Sequence, residues 1–311
     1  MTRIADQPAA TRRGILECML WAGSGVLWTV AGGVPRSSLI GDPAAAATTG
    51  LSFAQISDSH IGFHAPANPD VTATLQQAAD QVKALGARAS MLIHTGDVSH
   101  LARAAQFDTA RQIIAAIGRD THFVPGEHDV LGDGGRGFFA RFGRPGAPPG
   151  GWYSFDQQGV HFIGLNNVSD LRPGGLGRLG AEQMAWLRTD LAARPASQPI
   201  VVMAHIPLWA VYPAWGWGTD EAADILAALR RFGSVTVLNG HIHQVLQKVE
   251  GHVSFHTALS TAFPQPAPGT AAHPGPMTLP AGRLGHALGT ARVTYVPGNT
   301  RLAVIQSPLG A

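Results

Sequence analysis

The chain has 311 residues, 45% of them hydrophobic and 14% charged, with a formal net charge of +2. That apolar content supports one large α/β domain or two small ones and excludes intrinsic disorder, which needs high charge and few apolar residues. No run of Lys and Arg exceeds two residues, so no basic patch is present for a nucleic-acid backbone and no nucleic-acid partner is expected.

The N-terminal stretch, residues 1–47, differs in composition from the rest. Arg12 and Arg13 precede a run of small and apolar residues from Gly14 to Val34, followed by the small-residue tract Ala44–Ala47. A basic start, an apolar centre and an Ala-rich exit are the parts of an export signal. The paired arginines resemble a twin-arginine signal, which implies the twin-arginine export machinery as a partner and a periplasmic or secreted location. The alternative is a signal retained as an inner-membrane anchor, since the run is about long enough to span a bilayer. Its interspersed glycines and Glu17 make it a poor membrane helix. Cys18, the only cysteine, lies inside this segment, so a processed chain would have no thiol for disulfides, catalysis or metal binding.

Regular patterning begins at Leu51. Residues 51–57 form a short apolar run, as a buried strand does, and 71–85 carry apolar or small residues at helical spacing. A strand over 91–94 ends in Thr95-Gly96-Asp97; a helix over 101–117 and a strand over 122–124 follow. Strands and helices alternating at this spacing imply βαβ units and a largely parallel sheet. After a Gly/Pro-rich loop over 132–151, residues 152–155 and 160–165 read as a hairpin. A helix over 181–193, a strand over 200–204 and a helix over 219–232 come next, with Thr219 as the expected cap of the last. Residues 235–238 form a further strand, and 245–249 with 253–256 a second hairpin. Residues 263–311 begin as a Pro/Gly-rich wrapping segment and end in closing strands over 291–296 and 302–306.

Five of these strands end in ionisable residues. The first leads to Asp58 and His60, the second to Asp97, the third to Glu127, His128 and Asp129, the fourth to His205, and the fifth to His241 and His243. Ligand sites on open α/β sheets form at the carboxyl ends of strands. Carboxylates and imidazoles without thiolate suit Mn, Fe or Zn in a catalytic rather than a structural site. His94 is read as a core strand residue. His100 has no assigned role, and Arg136 and Arg178 are not distinguished from surface arginines. Trp209, Tyr212, Trp215 and Trp217 follow His205 in a Gly/Pro-rich loop and fit either a substrate-facing wall or packing beneath a long loop.

The ordered set D-x-H, G-D, G-E-H-D, His and G-H-x-H resembles the calcineurin-like metallophosphoesterase family over residues 51–262. The resemblance implies a four-layer α/β/β/α sandwich, two mixed β-sheets flanked by helices, with a dinuclear centre at the carboxyl ends of strands. It divides the chain into the signal and linker at 1–47, a metallophosphoesterase domain at 48–262 and the C-terminal segment at 263–311. Carried over, one metal ion is held by Asp58, His60, Asp97 and His243, and the second by Asp97, Glu127, His205 and His241. The implied substrate is a small-molecule phosphate ester, a diester somewhat ahead of a monoester, attacked by a metal-bridging hydroxide. His128 is then the general acid and Asp129 the residue orienting its ring.

One position departs from the pattern: Glu127 stands where the family has Asn. A carboxylate adds a formal charge and loses both amide donors. Glu127 is then a working ligand for another metal or a less charged substrate, or it points away and leaves the second metal weakly held. In the third alternative, catalysis is lost and the chain is a non-catalytic metal-binding envelope protein.

Overall fold

The computed structural model describes residues 25–31, 34–40, 50–297 and 302–310. The expected export signal lies outside the described residues, apart from Gly25–Ala31 (β1) and Val34–Ile40 (β2), which pair as an antiparallel two-stranded sheet in a unit of their own. Among the described residues, no helix is long and apolar enough to cross a membrane.

From Gly50 onward the chain forms one compact unit around two sheets. One sheet is built from Leu51–Ile56 (β3), Met91–His94 (β4), Asp120–Phe123 (β5), Gly289–Tyr295 (β12) and Ala303–Pro308 (β13), in the order β13-β12-β3-β4-β5. Strands β3, β4 and β5 run parallel, while β12 and β13 join antiparallel. The second sheet has six strands: Tyr153–Gln157 (β6), Val160–Gly164 (β7), Ile200–Met203 (β8), Val235–Asn239 (β9), Gln247–Glu250 (β10) and Val253–Thr257 (β11). Their order is β10-β11-β9-β8-β7-β6, with a parallel centre from β7 through β11 and an antiparallel strand at each edge.

Alternation along the strands explains the layering, because successive side chains point to opposite faces of a sheet. Phe53, Met91 and Ile93 meet Phe162, Val201, Met203 and Leu238 in the core between the sheets. On the opposite face of the five-stranded sheet, Ala54, Ile56 and Leu92 pack on Val71–Ala84 (α1), Ala104–Ala115 (α2) and Arg136–Phe142 (α3). Behind the six-stranded sheet, Ile200, Val202 and Val237 pack on Gly180–Ala192 (α4) and Ala222–Leu229 (α5). The result is the four-layer α/β/β/α sandwich with two mixed sheets.

Two local expectations are corrected. Thr219 does not cap α5: it donates to the Pro207 carbonyl and accepts from Asn167, and the helix begins at Ala222. The Glu221 carboxylate instead accepts from the Leu179 and Gly180 amides at the start of α4. Helix α3, inside the expected loop, went unread because Gly132, Gly134 and Gly135 precede it; its Phe138 and Phe142 are buried one turn apart.

Candidate metal centre

The ionisable strand ends come from both sheets. Asp58 and His60 follow β3, Asp97 follows β4 and Glu127–Asp129 follows β5, whereas His205 follows β8 and the pair His241 and His243 follows β9. Backbone hydrogen bonds continue beyond the strands and lash neighbouring loops together. Asp58 N donates to Gly96 O at 3.0 Å, His60 N to Asp97 O at 2.9 Å and Gly240 N to His205 O at 3.0 Å. The two sheets are joined here by His241 N, which donates to Asp58 Oδ1 at 2.9 Å.

The backbone is strained where the expected ligands sit. Asp58, His60, Asp97, His241 and His243 all have φ between 42° and 71°, in the left-handed region that side chains with a Cβ rarely adopt. Such conformations cost free energy and cluster at functional sites. Two motif glycines have a steric reason. A Cβ on Gly126 would collide with the Asp97 carboxylate, and one on Gly240 would meet Ser57 Oγ and Asp58 Oδ2. The loops therefore press bare backbone directly against carboxylates.

Seven side chains converge in two overlapping groups. In the first, His60 Nε2 lies 3.3 Å from His243 Nε2 and 3.4 Å from Asp97 Oδ2, and His243 Nε2 is 3.3 Å from Asp58 Oδ1. In the second, His205 Nε2 lies 3.4 Å from Asp97 Oδ2 and 2.9 Å from Glu127 Oε2, while His241 Nδ1 is 3.0 Å from Glu127 Oε1. Asp97 belongs to both groups. Glu127 is wedged between His205 and His241 and does not turn away. Its longer side chain reaches the pocket with one oxygen toward each imidazole.

Ring orientation is set from outside the groups. His205 Nδ1 donates to the Thr95 carbonyl at 2.7 Å, and His243 Nδ1 to the Phe263 carbonyl at 2.5 Å. Each bond keeps a proton on Nδ1 and turns Nε2 inward, the orientation that metal-ligating histidines require.

The donors fit a pair of metal ions. Asp58 Oδ2, Glu127 Oε2, His205 Nε2 and both His241 nitrogens are buried and have no aligned hydrogen-bond partner, even where they approach one another closely. Buried polar atoms are almost always satisfied, so this many unpaired donor atoms in one place fit a cationic partner. The charges are arranged likewise. Burial would raise the Asp58 pKa, but His243 and His205 bring it down to about 2. Burial also opposes ionisation of Glu127, yet His241 and His205 hold its carboxyl well below the usual range. Among the described residues, no Lys or Arg is a partner of these seven side chains.

His128 stands beside the pocket with its amide donating to Asp97 Oδ1 at 2.9 Å. Its ring is not oriented by Asp129, contrary to expectation. His128 Nδ1 donates to the His100 carbonyl at 2.7 Å, and Asp129 faces elsewhere. The Asp129 carboxylate accepts from Val98 N, Ser99 N, Ser99 Oγ and Gly126 N, at 2.8–3.1 Å. It thus holds the Asp97 and Glu127 loops together. A residue in a short 3₁₀ turn, Glu127–Asp129, points away from its neighbour's ring, which linear order does not reveal.

Several supporting residues carried no sequence signal. The segment after β11 is tied to the centre through Ser260 Oγ on the Asp58 carbonyl at 2.8 Å, Phe263 stacked on His60, and Gln265 Nε2 on the His241 carbonyl at 2.8 Å. Backbone carbonyls such as those of Thr95 and Phe263 are chemically anonymous in a sequence. His94 is fully buried, bonded to Ser59 Oγ, and burial brings its pKa down to about 3. Of the aromatic loop, Trp209 and Trp217 are buried, Trp209 against Phe255, while Tyr212 and Trp215 are half-buried and stack edge-on. Arg178 pairs with Asp170, and Arg136 opens α3.

Residues 51–245 match the family model described as calcineurin-like phosphoesterase. The chain is 26% identical over 215 residues to the glycerophosphodiester phosphodiesterase GpdQ of Enterobacter lignolyticus, covering 63% of this chain and 72% of that protein. It is 24% identical over 182 residues to the "Probable cyclic nucleotide phosphodiesterase RPA0124" of Rhodopseudomonas palustris, covering 54% of this chain and 61%, less than two thirds, of that protein. Its fold is similar to that of a dimetal phosphatase from Danio rerio, with a TM-score of 0.55 at 15% identity over 82% of this chain and 98% of that one. The match spans most of the described domain and takes in all seven converging side chains; the chain belongs to the calcineurin-like phosphoesterase family of metal-dependent phosphoesterases.

Proposed function

We propose that this chain is an exported phosphodiesterase that works with two metal ions (Mn, Fe or Zn). Asp58, His60, Asp97 and His243 hold one ion, and Asp97, Glu127, His205 and His241 hold the other. Two such ions supply Lewis acidity toward phosphate oxygens and an activated water. The observation that carries the reading is the convergence of these seven side chains in two groups sharing Asp97.

The remaining chemistry falls to His128. Its Nδ1 is engaged by the His100 carbonyl, so Nε2 is the nitrogen free to protonate a departing alkoxide. Burial would lower its pKa, but Asp97 and Glu127 outweigh burial and raise it, which favours a protonated acid near neutral pH. Asp129 keeps the backbone of Val98 and Ser99, and with it Asp97, at its present distance from His128.

A diester is favoured by charge. Three carboxylates line the pocket, and no Lys or Arg partners them among the described residues, which penalises a dianionic monoester more than a monoanionic diester. The phosphodiesterase names of two relatives agree. The paired arginines at 12 and 13 support twin-arginine export, so an extracellular or envelope phosphodiester is the natural substrate class. Lysine at both positions should retain the protein in the cytoplasm, and continued export would refute that part.

The test of the activity is a metal-loaded preparation assayed on matched aryl mono- and diesters with Mn, Fe or Zn. Turnover with preference for the diester is expected. Two ions bound per chain without turnover of either ester would overturn the enzyme reading in favour of a metal-binding envelope protein.

A further inference from the structure

The three inward-facing imidazoles with an engaged outer nitrogen do not use the same kind of partner. For His205 and His243 the acceptor is a main-chain carbonyl. For His60 it is a side chain: His60 Nδ1 lies 3.3 Å from His100 Nδ1, with no other partner for that nitrogen among the described residues. Because His60 Nε2 is the nitrogen assigned above to the metal ion beside Asp97 and His243, its lone pair is required there and its proton sits on Nδ1. His100 Nδ1 is then the acceptor.

The same ring touches the other half of the site. His100 stacks on His128 with centroids 4.8 Å apart and planes 17° from parallel, and it meets Phe63 in a T-shaped contact with centroids 5.2 Å apart. The His100 backbone is itself fixed, since its amide donates to Ile61 O at 3.0 Å and its carbonyl accepts from His128 Nδ1 at 2.7 Å. A ring held on all these sides has little freedom of its own.

We propose that His100 is a positioning residue joining the two halves of the centre, its ring nitrogen setting the His60 tautomer and its ring face setting the plane of His128. The proposal rests on the roles assigned above to His60 and His128. A metal-ligating histidine whose outer partner is removed typically loses about 10–100-fold in metal affinity, and here that partner is a side chain that can be exchanged.

Two substitutions separate the two contacts. His100→Phe keeps the stack and removes the acceptor. His100→Asn keeps an acceptor at the position of Nδ1 and removes most of the stack. The readouts are Zn²⁺ and Mn²⁺ binding to the chelated protein by calorimetry, and the ratio of turnover on alkyl-leaving to aryl-leaving diesters, since a poor leaving group needs the acid more. In His100→Phe one of the two binding steps is expected to weaken about 10–100-fold with the alkyl-to-aryl ratio near that of the parent. In His100→Asn, metal affinity is expected within about threefold of the parent, with the ratio lowered about tenfold or more, a part of the roughly 100- to 10,000-fold that a positioned acid contributes. Parent-like isotherms for His100→Phe together with a parent-like ratio for His100→Asn would overturn the proposal. The isotherms decide the His60 contact even if no ester is hydrolysed, so failure here is distinct from failure of the hydrolase reading.

Discussion

Asp97→Asn tests the centre at the one side chain both groups share. Without cations, Asp97 lies within 4.8 Å of a carboxylate oxygen of Asp58 on one side and of Glu127 on the other. At that outer limit and an effective dielectric of ~20, each pair repels by at least about 3.5 kcal/mol, or at least about 7 kcal/mol for both. Asp97 also attracts His205 across 3.4 Å; burial lowers that ring's pKa, but Asp97 and Glu127 hold it well above the ordinary value. That attraction is worth about 5 kcal/mol on the same scale, leaving at least about 2 kcal/mol of net relief in the variant, part of which His128 takes back. Asparagine keeps the acceptor for His128 N and can donate toward the His60 Nε2 lone pair. The chelated variant should therefore be no less stable than the chelated parent.

Metal reverses the comparison. At ~100 times the dissociation constant each site adds about 2.7 kcal/mol, so two sites add about 5 kcal/mol to the parent. For a domain of this size that is a rise in Tm of about 10–20 °C. In Asp97→Asn the rise should fall to less than half. The assay is thermal unfolding of both proteins in chelator and in excess Mn²⁺ or Zn²⁺. A variant that melts several degrees lower in chelator yet keeps the full metal-induced rise would refute the reasoning, because Asp97 would then be a structural carboxylate.

Glu127→Asn removes one charge from the second group and restores an amide; we expect weaker binding of the second ion and a monoester-to-diester ratio raised about tenfold or more, read from matched kinetics. Unchanged metal content and kinetics would mean that Glu127 does not face an ion. Asp129→Asn loses acceptor capacity for its four donors and should destabilise the protein by about 1–3 kcal/mol in denaturant melts; a loss of activity with unchanged stability would restore Asp129 as an orienter of His128. Far from the centre, buried His161 has its two ring nitrogens against Asp156 at 3.0 Å and Asp190 at 2.7 Å. Burial opposes ionisation of Asp190, but bonds from His161 and Ser154 outweigh it and lower its pKa. Its contribution is present above the unfolded carboxylate pKa near ~4 and is lost as pH falls through the lower folded value. Asp190→Asn should therefore cost about 1–3 kcal/mol at neutral pH and flatten acid unfolding below that pH, with metal content unchanged; an acid limb identical to the parent's would count against it.

The strands and most helices were readable because each buries two faces or one stripe, and burial writes itself into apolar spacing. Met91–His94 and Ile200–Met203 are continuous apolar runs for that reason. Helix α3 was hidden behind glycines, and the cap assigned to Thr219 failed because a loop threonine has competing partners in Asn167 and Pro207. The converging residue types were equally legible, since carboxylates and imidazoles at strand ends have no use in a core.

What the sequence determined by itself is thus the chemistry of the centre and the order in which the chain supplies it. Only the tertiary structure decided that three of the five loops belong to one sheet and two to the other. It also decided that Glu127 turns inward between His205 and His241, that Asp129 serves the backbone of the Asp97 loop, and that His100 bridges His60 and His128. The physical reason is common to all of these. Composition and spacing record what a residue can do, but the direction of a side chain from a tight loop is set by backbone torsions and by partners distant in the chain, many of them main-chain atoms that every residue type carries.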